Sequence, residues 1–301
     1  MVHTLGLAGW KLLWLAPYRI LYFLLFAMGW HNLLRPYDPE RRAGFGYVLW
    51  VTTVREAIDR LLPVASVGGV VAGVRLLRWR GVETAPAGAT VVVEVILTLI
   101  VLSLFTAMGL TLLAGVGATT HEYHRLLVVF LLSLPVPAAT VLLLRYGSVF
   151  SRLESLLSRL VGIGGLVEGA GNALDHEVRA CLHRGWSLLF AGSLQFVAWI
   201  SGAFEIWFAM RLFGRPVNTS TALALESVTQ AVRHLAFVIP AGIGVQEAGL
   251  VMFGQLLGIS GELALAVSMA KRMREVLCGL PPLLSWQWLE GRRLRRPQPG
   301  C

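Results

Sequence analysis

Of the 301 residues, 56% are hydrophobic and only 14% are charged, at a mean hydropathy of +0.68. A soluble domain of this size carries about 25% charged residues, so a single water-facing globule is excluded and lipid must be part of the solvent. The 26 basic and 17 acidic side chains leave +9, but the arginines lie between apolar runs, where the positive-inside rule and anionic headgroups account for them. Nucleic-acid binding is not expected, since no basic stripe interleaved with aromatics lies on a polar surface. The opening apolar stretch has no small-residue cleavage site after it, which argues against a secretory leader. Cys181, Cys278 and Cys301 show neither paired nor metal-ligand spacing, so disulfides and a metal site are not expected.

A helical span needs roughly 20 apolar residues. The first runs from about Leu12 to Leu34 and ends in a charged connection, Arg35 to Arg42, whose Pro36 and Pro39 stop the helix. The second is about Ala87 to Gly117, long enough to tilt. After a turn at His121 to Arg125, Leu126 to Leu144 returns, with a kink expected at Pro135 and Pro137. Val149, Leu153, Leu156, Leu157 and Leu160 then recur at helical spacing; beyond Gly162 to Gly165 the stripe resumes with Leu166, Ala170, Leu174 and Val178. This pattern predicts two amphipathic helices lying in the interface plane. Trp186 to Met210 is the next span, with Glu205 deep inside it, and Leu263 to Leu289 is the last, with Lys271, Arg272, Arg274 and Glu275 near its middle. The arginine-rich tail from Arg292 to Arg296 places the C-terminus in the cytoplasm. Counting back puts the Arg211–Ser220 loop outside and both arginine-rich connections inside.

Two segments do not read as ordinary spans. Arg55 to Gly69, through Pro63 and the Gly68-Gly69 pair, overlays Gln230 to Gly249, through Pro240, Gly242 and Gly244, at a shift of 177 residues. The same shift pairs Gly81 with Gly258, Ala87 with Ala264 and Ala89 with Ala266. A Pro/Gly-interrupted apolar segment cannot cross lipid as a continuous helix, because its freed backbone groups would go unsatisfied. Corresponding interruptions in two halves of a membrane protein point to a transporter's binding site. Three spans separate the copies, an odd number that fits inverted halves.

Ionisable residues at membrane depth are costly and usually face a cavity. Glu247 is the sharpest candidate, as a headgroup or proton site or as a salt-bridge partner of Arg233 or Arg272. Lys271, Arg272 and Arg274 could cradle a phosphate, arginine offering bidentate contacts. With Glu247 they carry +2 and are expected to share one cavity between the halves. Arg55, Glu56 and Asp59 mirror them in the first copy, but read more readily as a solvated helix lead-in. Glu94 and Glu205 are expected to pair with nearby arginines. Trp14, Trp30, Trp50, Trp186, Trp207, Trp286 and Trp288 lie mostly near span ends, as in an aromatic belt. Enzyme motifs fail: His121 and His124 are three apart rather than the four of a zinc-protease pair, and Gly242-Ile243-Gly244 lacks a third glycine. No serine sits in a nucleophile elbow.

The stretches Leu61 to Gly69, Arg75 to Leu77 and Arg80 to Val82, with Phe237 to Pro240, Gly242 and Gly244 to Glu247, resemble the flippase-like family related to the membrane half of lysylphosphatidylglycerol synthase. The ending, Met269 to Arg274, Gly279 to Pro281 and Trp286-Gln287, resembles its HpnL branch, associated with hopanoid biosynthesis. The resemblance implies a protein of the bacterial inner membrane that moves a lipid without making it. Two departures stand out. Val70 occupies the position after Gly68-Gly69 where the family usually has an acidic residue. The family usually begins with a further span before Leu12, which suggests a downstream start or a truncated chain; an extra span would give six crossings.

The sequence therefore predicts an all-α polytopic membrane protein with five or six transmembrane helices and two re-entrant hairpins. It is a single membrane domain: half one about 12–147, an interfacial connector about 148–185, and half two about 186–291. The expected activity is translocation of a hopanoid or anionic phospholipid, without cofactor or covalent chemistry. The alternatives are a membrane-embedded subunit of a lipid headgroup transferase, or a scaffold for lipid-biosynthesis enzymes. The candidate site comprises Pro63, Gly68, Gly69, Pro240, Gly242, Gly244, Glu247, Lys271, Arg272 and Arg274.

Overall fold

The computed structural model describes residues 14–62, 67–115, 124, 127–128, 130–132, 134–161, 169–235 and 244–295. Its regular elements are helices: α1 (Ala16–Leu34), α2 (Phe45–Leu61), α3 (Gly68–Arg78), α4 (Thr84–Gly115), α5 (Pro135–Tyr146), α6 (Val149–Val161), α7 (Ala170–Leu182), α8 (Gly185–Leu212), α9 (Thr219–Leu235), α10 (Val245–Leu256) and α11 (Gly261–Leu294). No strand occurs among the described residues.

The repeat seen in the sequence is a repeat of helices. Gly68 and Thr84 open α3 and α4; 177 residues later, Val245 and Gly261 open α10 and α11. The turns before the long helices contain Gly81 at φ +80° and Gly258 at φ +74°, also 177 apart, in the left-handed region that a Cβ disfavours. Each half is thus a long helix, a shorter one, a very short one and a second long one: α1 to α4, then α8 to α11.

The halves interlock through equivalent contacts. The two leading helices α1 and α8 pack on each other, while α2 packs on α11 and α9 packs on α4. The core of each half consequently includes the long helix of the other. Leu283 of α11 joins Trp30, Val51, Leu76 and Val91, and Leu110 and Leu113 of α4 join Met210, Leu225, Leu250 and Phe253. Large apolar side chains remain exposed on the outside, among them Ile20, Leu104, Leu189 and Leu284.

Two helices, Thr84–Gly115 and Gly185–Leu212, are long and apolar enough to cross a membrane. Phe130–Tyr146 with Val149–Leu156 forms a third candidate bent by 83°. Helix α1, which carries Arg19, His31 and Asn32, and α11, which carries the Lys271–Glu275 charges, do not pass that test. Pro135 stands in the first turn of α5, where a missing N–H costs nothing.

The connector is held by reciprocal carboxylates. Asp175 accepts from the backbone N–H groups of Phe150 (3.2 Å) and Ser151 (3.0 Å), and Glu154 accepts from those of Gly169 (2.8 Å) and Gly171 (2.6 Å). Leu153 and Leu156 of α6 are exposed, as expected of an interfacial helix. The apolar face of α7 behaves differently: Val178 and Cys181 are buried with Ala89, Val93 and Ile96 of α4. That face therefore covers protein, a correction to the expectation that both helices lie on lipid. The turn at 121–123, the glycine interruption at 162–165 and the end of the tail lie outside the described residues.

Candidate functional site

Among the described residues, seven basic side chains and six glutamates form buried and half-buried ion pairs, some linked through shared partners and three standing as separate pairs. In the first half, Arg19 of α1 pairs with Glu56 of α2, and Arg60 lies 2.8 Å from the same carboxylate. Arg55 pairs with Glu94 of α4 and stacks on Trp30 at 4.5 Å. In the second half, Arg233 meets Glu275 at 3.0 Å and also donates to Gln246. Lys271 lies 2.6 Å from Glu226 of α9, which also accepts from Gln230 at 2.8 Å, and Arg274 lies 2.7 Å from Glu205. The seam between the halves is crossed where Arg60 approaches Glu275 at 3.9 Å.

The most accessible member of the second half's set is Arg272. It bridges Glu247 at 3.1 Å and Glu275 at 3.3 Å, with 20% of its side chain exposed. Glu247 sits in the first turn of α10, where its other oxygen accepts the Gly244 N–H at 2.8 Å. A carboxylate suits that place, since unpaired N–H groups and the helix dipole make a helix N-terminus locally positive. The equivalent helix of the first half carries Val70, but its N-terminus is met all the same: Asp59 of α2 accepts the Gly69 N–H at 2.9 Å. Both short helices thus begin against a carboxylate, one internal and one borrowed.

The family model for the transmembrane region of lysylphosphatidylglycerol synthase matches residues 4–280. The chain belongs to this family. Family membership and the apolar helices together make it a multi-pass membrane protein, and its function is related to membrane lipid. No curated protein and no solved structure matches the chain.

Several expectations about the site change against this geometry. Glu247 pairs with Arg272, whereas Arg233 turns to Gln246 and Glu275. Lys271, Arg272 and Arg274 do not converge on one anion: Lys271 turns to α9 and Arg274 to α8, each onto its own glutamate. The expected excess of positive charge is cancelled: with Arg233, four cations in the second half meet four carboxylates, Glu205, Glu226, Glu247 and Glu275. Arg55, Glu56 and Asp59 are not a solvated lead-in, for their charges are partly buried and partnered. Glu94 and Glu205 pair with arginines, as expected. Trp30 is a core residue at 1% exposure, while Trp14, Trp186 and Trp288 are exposed in the manner of a belt. Pro63, Pro240 and Gly242 lie outside the described residues.

Arg19, Arg60, Glu226, Gln230 and Gln246 complete the site and were not singled out in the sequence. Their shared signal is a polar or charged residue on a helix of otherwise apolar neighbours. Among the described residues no three His, Cys, Asp or Glu side chains cluster closely enough to hold a metal ion. What the arrangement offers is exchangeable charge: Glu275 has Arg60, Arg233 and Arg272 within 4 Å, and Glu56 has Arg19 and Arg60.

Proposed function

We propose that the protein translocates a membrane lipid across or out of the bacterial inner membrane, without covalent chemistry, as a member of the HpnL branch of its family. The observation that carries this reading is the bridge of Arg272 between Glu247 and Glu275, beside the Arg60–Glu275 pair that crosses between two equivalent halves. Buried charge at a repeat seam is the form a polar headgroup path takes in transporters. A carboxylate shared by three cations can pass from one to another as the halves move, so neither state strands a charge in hydrocarbon. The cargo in this reading is a hopanoid or an anionic phospholipid, and the C-terminus faces the cytoplasm.

The test is lipid mass spectrometry on separated inner and outer membranes of a deletion strain complemented at matched protein levels. Complementation with Glu247→Gln or Arg272→Ala is expected to leave the lipid made but misplaced by at least fivefold. Normal distribution in both variants would remove these residues from the path. A second reading, a subunit of a lipid headgroup transferase, is supported by the family's description as part of a synthase. Missing lipid product, rather than misplaced product, would favour it.

A further inference from the structure

One group of arginines stands apart from the ion-pair network. The turn between α3 and α4 brings Arg80, and the last turn of α11 brings Arg292 and Arg293, to a single cavity of about 320 Å³ also lined by Tyr47 and Trp79. Each guanidinium lies over an aromatic ring: Arg80 over Tyr47 at 4.5 Å, Arg293 over Trp79 at 4.2 Å and Arg292 over Trp288 at 3.7 Å. Stacking on a ring face fixes the guanidinium plane and leaves its edge N–H groups to donate. None of the three has a carboxylate partner among the described residues. Arg75 nearby is different, for it pairs with Glu290 on the same end of α11.

Three like charges held around one cavity repel each other until an anion sits among them. Fixed forks of N–H donors match the oxygens of a phosphate, which can accept from two guanidinium groups at once. The surrounding tyrosine and tryptophans are the residues that settle at headgroup level, where anionic lipid concentrates. The cavity also draws on both halves, Arg80 from the first and Arg292 and Arg293 from the second, so a bound anion would tie them together.

We propose that this cavity binds the phosphate of an anionic phospholipid headgroup, separate from the ion-pair network and independent of the translocation reading. The site holds a lipid that stays with the protein and clamps α11 to the α3–α4 turn.

The test uses the full chain purified in detergent, with dioleoyl phosphatidylglycerol, dioleoyl phosphatidylcholine or inorganic phosphate added separately. Lipid retention is read by native mass spectrometry and stability by thermal unfolding. The wild type is expected to retain phosphatidylglycerol at least tenfold over phosphatidylcholine, and R80Q/R292Q/R293Q to lose that preference. Arg80→Gln alone, confined to an exposed turn, is the safeguard against misfolding and is expected to cut the preference at least threefold. Stabilisation by phosphatidylglycerol but not by inorganic phosphate supports a lipid source; equal stabilisation by both supports the same phosphate site filled from solution. An undiminished preference in both variants, or no preference in the wild type, would overturn the proposal.

Discussion

Gly69 shows how little room a charge needs in order to be placed. A Cβ at this position would strike the Asp59 carboxylate and come within 2.8 Å of the Arg55 carbonyl oxygen. Gly69→Ala is therefore expected to break the bond that starts α3 and to destabilise the protein by about 1–3 kcal/mol, the usual cost of overpacking, measured by thermal unfolding in detergent. At Lys271 the question is pairing. Removing one member of a buried ion pair leaves the other uncompensated and costs about 3–5 kcal/mol, whereas replacing both by apolar groups is often neutral. Lys271→Met alone is expected to show the large loss and Lys271→Met with Glu226→Leu to recover most of it; no recovery would mean that Lys271 acts through a different partner. The sequence could announce Lys271 as costly, because a cation amid apolar residues is visible in one dimension. It could not name Glu226, 45 residues away, because the choice of partner is made by the packing of α9 against α11. The borrowed carboxylate of Asp59 was hidden for the same reason, since Val70 at the equivalent register suggested that the first half had none.

At the scale of single helices, glycine and proline punctuation made the boundaries legible. The 177-residue shift drawn from Pro63, Pro240, Gly81 and Gly258 coincides with the starts of α3 and α10 and of α4 and α11. What periodicity could not say is which surface an amphipathic stripe covers, since lipid and a neighbouring helix are equally apolar. Helix α7 is the example: its stripe faces α4, and burial pushes the Cys181 thiol up to about 11, Glu177 adding to the effect and Arg184 opposing it. Only the thiolate is reactive, so the sign is that alkylation stays slow at neutral pH and rises as pH climbs toward that value. N-ethylmaleimide at pH 7.5 is expected to leave Cys181 unmodified in the folded protein and to modify it in denaturant, read by peptide mass spectrometry. Rapid modification in the folded state would detach α7 from α4.

For the molecule as a whole, the testable feature is the seam. A Cβ on Gly279 of α11 would lie 3.6 Å from that of Ala57 on α2, within the range that a disulfide requires. The pair Ala57→Cys and Gly279→Cys is expected to cross-link on mild oxidation, seen as a mobility shift on a non-reducing gel. If the halves part during transport, lipid movement should stop on oxidation and return on reduction. Movement that continues in the cross-linked protein would show that this contact stays closed throughout.

The seam has one more consequence, which concerns ancestry. Within each half the network's charges are already satisfied, Arg60 by Glu56 and Arg233 by Glu275; Arg60 with Glu275, and Arg75 with Glu290, join unlike halves. Glu275 of α11 corresponds in the first half to Thr98 of α4, and, because α2 and α9 align at a shift of 174, Arg60 corresponds in the second to His234. Two copies of the first half would therefore set Arg60 against a threonine, and two copies of the second would set Glu275 against a histidine in place of an arginine. Whatever self-pairing the repeat once allowed, the present halves have diverged into a matched plug and socket. The fold is symmetric in shape but directional in charge.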